Sequence, residues 1–89
     1  QRLKTLDELQ QLLASKPNLQ PKTEAALSAM VKAYNDYQTE KDNLTSANAS
    51  PQLIRNLKDE AIIRLRQLAT FNENTQSAYN VIFGRLLGD

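Results

Sequence analysis

One stripe of apolar residues constrains this chain more than any other feature. At about 100° per residue from Leu53, a narrow band collects Leu53, Ile54, Leu57, Ala61, Leu65, Leu68, Phe71, Tyr79, Ile82, Phe83 and Leu86 without losing phase. Strands alternate every two residues, so a band of this period specifies α-helix. A second band, Leu27, Met30, Tyr34, Tyr37, Lys41 and Leu44, steps by threes and fours like the seam of a coiled coil. Between them Ala47-Asn48-Ala49-Ser50-Pro51 breaks one helix and starts another, with Ser50 as N-cap and Pro51 at the first helical position. The two bands therefore form an antiparallel hairpin of helices near 21–45 and 51–70.

Hairpin geometry then limits the second band. A turn near Asn48 sets residue 44 opposite 53, 34 opposite about 63 and 27 opposite about 70, given equal rises of about 1.5 Å per residue. The first arm is used up before the second reaches Tyr79. A straight helix would carry Tyr79, Ile82, Phe83 and Leu86 beyond any partner and leave an apolar stripe in water. Thr70, Asn72, Asn74 and Thr75 are poor helix formers gathered at that place, and Asn72 and Thr75 fall inside the stripe. The sequence thus predicts a bend near 70–75 and a fourth helix folded back. The competing reading is a straight helix covered by the first helix or by a second chain.

The first helix is short. Leu3, Leu6, Leu9 and Leu13 share a face, Thr5-Leu6-Asp7-Glu8 has the capping-box form and Lys16-Pro17 supplies a stop, which places it near 5–15. Pro17-Asn18-Leu19-Gln20-Pro21 connects it to the hairpin, and Pro21 suits a first helical turn, where its missing N–H costs nothing. The expected architecture is all-α: one domain over 1–89, a small antiparallel bundle of three to four helices built on a long hairpin. Eighty-nine residues, 40% of them hydrophobic and only two of them glycine, suit one folded domain of that class.

Composition narrows function mainly by exclusion. The chain has no histidine and no cysteine, which removes the commonest base, the thiol nucleophile, disulfides and most transition-metal ligands. No Gly-rich phosphate loop or nucleophile elbow is present. Asp36, Glu40, Asp42, Asp59 and Glu60 can share one end of the hairpin, but Glu60 precedes Arg64 by one helical turn and Lys41 lies among the acids, so solvated ion pairs account for them. No catalytic residue, cofactor or metal is expected. Eleven basic and ten acidic residues leave a net charge of +1, which gives no bulk field toward nucleic acid or an anionic membrane. No apolar run approaches the about 20 residues of a membrane span. Gln1-Arg2-Leu3-Lys4 lacks the apolar core of a signal peptide, although a leader or lipid-bearing residue removed upstream remains compatible with it. The abundance of asparagine and glutamine leans toward an exported bacterial protein.

Several features have both a structural and a functional reading. Arg55, Lys58, Arg64 and Arg66 make the third helix locally basic, as a nucleic-acid-binding helix requires, but Asp59 and Glu60 interrupt the cluster, Arg64 points into the seam, and no helix-turn-helix spacing accompanies it. Arg64 falls in the seam opposite Tyr34, where its guanidinium can stack on the ring. Tyr34 and Tyr37 read as half-buried seam residues with hydroxyls reaching solvent. Asn43-Leu44-Thr45 and Asn48-Ala49-Ser50 match the glycosylation sequon, a match expected by chance in so asparagine-rich a chain.

The segment 78–88 stands out because its apolar residues cover more of the helix circumference than one packing face requires. Val81 and Leu87 lie on different sides of the main stripe, and Val81 shares its side with Ile63. Gly84 offers a close backbone approach or simply a weak point. Such surplus suits a helix-in-groove contact or an oligomer seam, or a helix wrapped on several sides by its own bundle. The expected surface is Tyr79, Val81, Ile82, Phe83, Leu86 and Leu87 with Ile63 beside it. The expected function is a non-catalytic protein–protein interaction module, such as an adaptor, chaperone, inhibitor or assembly subunit of a bacterial envelope or secretion complex, binding another protein or itself. Nucleic-acid binding through Arg55, Lys58 and Arg66 is the alternative.

Overall fold

The computed structural model describes residues 5–15, 18–69 and 72–88. Leu3, the Lys16-Pro17 stop, Thr70 and Phe71 lie outside them. Helix accounts for 86% of the described residues, with no strand among them. The order is α1 (Leu6–Ala14), α2 (Pro21–Ser46), α3 (Pro51–Leu68) and α4 (Glu73–Gly88). The bend is real: α4 folds back and packs on α1, α2 and α3.

Local chemistry fixes the ends. At α1, the Glu8 amide donates to Thr5 Oγ1 at 3.1 Å and Glu8 Oε1 accepts from the Thr5 amide at 3.0 Å, a complete capping box. Pro21 and Pro51 open α2 and α3 as expected. Ser50 holds the N-cap position with extended backbone but caps through no side-chain hydrogen bond. The C-terminus of α2 closes as a Schellman motif: the Ala49 amide donates to the Leu44 carbonyl at 2.9 Å and the Asn48 amide to that of Thr45 at 3.1 Å. Asn48 supplies the left-handed residue this requires, with φ of 57°. Asn48→Gly should therefore leave stability unchanged or raise it by a few tenths of a kcal/mol, and Asn48→Val should lower it by about 1–2 kcal/mol. Urea unfolding midpoints check both, and a neutral valine would remove the turn from this role.

The α4 start explains the two polar residues inside the stripe. Asn72 is the N-cap, its carbonyl accepting from the Gln76 amide at 3.0 Å. Its Oδ1 accepts from the Thr75 amide at 3.2 Å, while Thr75 Oγ1 accepts from the Asn72 amide at 3.2 Å and donates to the Asn72 carbonyl at 3.0 Å. Asn72 Nδ2 also donates to Thr23 Oγ1 at 2.7 Å, which ties the start of α4 to the first turn of α2. Thr75 is fully buried and Thr23 nearly so. The bend is thus a built junction whose polar groups are hydrogen-bonded, as burial demands.

The core runs through all four helices. Leu9, Leu27, Met30, Leu65, Ile82 and Leu86 have no exposed surface, and Tyr34, Tyr37, Ala61, Ala69 and Ala78 complete the cluster. The molecule is 44 Å long and about 20 Å across in its other two dimensions, because α2 alone spans about 39 Å at 1.5 Å per residue. The shorter α4 reaches only about 24 Å along it. Arg85, near its end, is level with Tyr34. The hairpin therefore projects beyond α4 as two helices, and this corrects one expectation. Leu53 belongs to the apolar stripe but is 50% exposed, since no other helix reaches that far. Leu44 and Lys41, opposite it, are half-buried for the same reason.

Candidate functional site

With the core accounted for, the apolar side chains left on the surface define the candidate site. The expected surface splits into three parts. Ile82 and Leu86 are fully buried, so they hold α4 to the bundle and present nothing to a partner. Val81 is half-buried on the side of α4 that carries Ser77, itself buried, one turn earlier. Val81 lies about 160° around α4 from Tyr79, which meets α3 at Arg66, so it does not share a face with Ile63. What remains is Tyr79, Phe83 and Leu87, four residues apart along one side of α4, with Ile63 on α3. Tyr79 and Phe83 stack at 5.4 Å between centroids, with rings 13° from parallel. Ile63 is 55% and Leu87 62% exposed, which makes them, with Leu53, the large apolar residues most open to solvent among the described residues.

Two contacts set the register of α3 against α4. Arg66 Nε donates to Tyr79 Oη at 3.3 Å, and Arg66 and Ala69 line one shallow depression with Gln76 and Tyr79. Continued antiparallel at matched rises, this register sets Ile62 level with Phe83 and Lys58 and Asp59 level with Leu87. Ile63 therefore lies at the height of Ile82 and Phe83. Most of the spread of apolar positions in 78–88 follows from packing on three helices at once, and only Phe83, Leu87 and part of Tyr79 are surplus to it. Gly84 has no atom within 4 Å of where a Cβ would stand, so it serves no close approach.

The charged candidates also move. Tyr34 is stacked by Arg85, not Arg64: the Arg85 guanidinium lies 5.9 Å from the ring centroid and its Nε donates to the hydroxyl at 3.3 Å, beside a 2.8 Å bond from Gln38 Nε2. Tyr34 faces the α4 side of the hairpin, whereas Arg64 is exposed on the opposite side. Tyr34 and Tyr37 are buried, with 5% and 2% exposure, and the Tyr37 hydroxyl does not reach solvent. Arg55 and Arg66 are exposed and Lys58 half-buried on the flank of α3 that adjoins α4, with Asp59 among them. Arg55 accepts a local partner, donating from Nη2 to Gln52 Oε1 at 2.9 Å.

Of the five acids near the hairpin end, Asp36, Glu40 and Glu60 line a groove between α2 and α3 with Arg64, over a floor of Ala33, Tyr37, Leu57 and Ala61. Asp42 and Asp59 lie elsewhere. Asp36 is paired with Lys32 at 2.6 Å in an exposed contact within α2. Among the described residues no group of three or more acids is placed to hold a metal ion, and no helix is long and apolar enough to cross a membrane. This groove was not expected as a surface; its sequence signals are the gathering of Asp36, Glu40 and Glu60 at one end of the hairpin and the i, i+4 spacing of Ala33, Tyr37 and Leu57, Ala61 in the two arms. No family model, curated protein or solved structure matches the chain, so its function is read from its own surfaces.

Proposed function

We propose that this protein is a non-catalytic helical interaction module, of the adaptor, chaperone, inhibitor or assembly-subunit kind, and that its contact surface is the flank formed by α3 and α4. The observation that carries this reading is the exposure of Ile63 on α3 and of Leu87 on α4, two helices that pack side by side. Exposed large apolar residues on adjacent rigid elements suit a protein partner, since their removal from water supplies about 25 cal/mol for each Å² buried. Basic Arg55, Lys58 and Arg66 around the patch supply a polar rim. Phosphate binding by these three residues remains the competing reading, and it differs in one observable: affinity for nucleic acid would fall steeply with salt.

A photo-reactive amino acid placed at Ile63 or Leu87 in the chain's native cells tests the proposal. Discrete protein adducts are expected at both positions and none at Asn35, an exposed position on the outer side of α2. Adducts to nucleic acid alone would transfer the surface to the competing reading. No adduct at either position would remove it from both.

A further inference from the structure

The groove and the flank are complementary. The groove between α2 and α3 has an apolar floor and is lined by Asp36, Glu40, Glu60 and Arg64; with Asp36 already paired to Lys32, Glu40 and Glu60 against Arg64 leave it one charge negative. Leu53, one turn before Leu57 on the same side of α3, continues the floor toward the tip and is half exposed. The flank carries Arg55, Lys58 and Arg66 against the single carboxylate of Asp59, leaving it two charges positive around Ile63, Phe83 and Leu87. The two surfaces occupy different sides of α3, so one chain cannot satisfy itself.

We propose that the occupant of the acidic groove is a second copy of this chain, seated through its basic apolar flank in a head-to-tail contact. The contact sets Ile63 and Leu87 of one copy over the apolar floor of the next, with Arg55 and Lys58 meeting Glu40 and Glu60. Opposite charges at the rim fix orientation and speed encounter. The overall net charge of +1 opposes association very little. Because donor and acceptor surfaces differ, the contact is heterologous, and each added copy leaves one groove and one flank free; growth continues past the dimer unless the rotation closes a ring. This inference rests on the flank being a contact surface, and adds the groove that receives it.

Sedimentation velocity on the purified full chain at increasing concentration tests it, with two surface variants, Glu40→Lys/Glu60→Lys in the groove and Arg55→Glu/Lys58→Glu on the flank. Circular dichroism verifies that both remain helical. The wild-type average mass is expected to pass that of a dimer as concentration rises and to fall with added salt. Each variant alone is expected to lose association by at least about tenfold in Kd, because like charges then face each other. The groove variant keeps a working flank and the flank variant keeps a working groove. The reversed flank of one and the reversed groove of the other are also opposite in charge, so their equimolar mixture is expected to recover association, and a mixture that stays monomeric overturns the pairing. A wild-type monomer at every concentration overturns the proposal, as does a dimer indifferent to either variant. A monomer whose Ile63 and Leu87 still cross-link to a different protein overturns self-association while leaving the flank as an interaction surface. A monomer with no cross-link overturns both readings.

Discussion

Ile82→Ala is expected to lower the unfolding free energy by about 2–5 kcal/mol, whereas Leu87→Ala changes it by no more than about 0.5 kcal/mol. The two residues lie five positions apart on α4 and look equally apolar in the sequence. Ile82 has no exposed surface and touches a core to which all four helices contribute. Its truncation removes buried methyl groups and leaves a cavity that rigid neighbours only partly fill. Leu87 is 62% exposed and already in water. In a domain of this size each kcal/mol shifts the midpoint by about 4–8 °C, so Ile82→Ala should melt on the order of 15 °C below the parent. Thermal and urea unfolding followed by circular dichroism read both variants. Equal effects at the two positions would mean that α4 does not dock by the face described.

The second large effect belongs to the α3–α4 junction. Asn72→Ala removes the N-cap of α4, worth about 1 kcal/mol, and also deprives the buried Thr23 hydroxyl of its 2.7 Å partner, at about 1–3 kcal/mol. The sum, about 2–4 kcal/mol, is large for an exposed asparagine. In a Thr23→Val background no hydroxyl is left to orphan, so Asn72→Ala should cost only the cap. A double-mutant cycle is therefore expected to give a coupling of about 1 kcal/mol or more between residues 49 apart in sequence. Additive losses would show that the two helix starts are not joined through this bond.

That junction shows how the sequence can mark a place and conceal its workings. Asn72 and Thr75 stand out as polar residues interrupting an apolar stripe, and together with hairpin length they indicate the bend. The reciprocal cap uses threonine where a capping box has glutamate or glutamine, and the bond to Thr23 depends on α4 having already returned to the foot of α2. The candidate site divides in the same way. Leu87 and Ile63 were legible as apolar residues off the main stripe, whereas Tyr79 and Phe83 stood within it. Ile82 and Leu86 were legible as apolar too, but their burial follows from α4 meeting three helices instead of one.

What the sequence by itself determined is the set of helices and their ends: the Thr5–Glu8 box, the prolines at the start of α2 and α3, the turn at Asn48 and the hairpin register. These rest on interactions spanning three to five residues, which a linear reading contains. The absence of histidine and cysteine likewise is a property of the chain alone. Tertiary structure decided which side of each helix meets water. It set Arg85 on Tyr34 and left Arg64 in an acidic groove, covered Ile82 and Leu86, and exposed Leu53 because α4 ends before the hairpin does. The physical reason is that burial belongs to pairs of elements: a helix carries its apolar positions in its own sequence, but the place and height at which a returning helix lands settles which of them remain free to act.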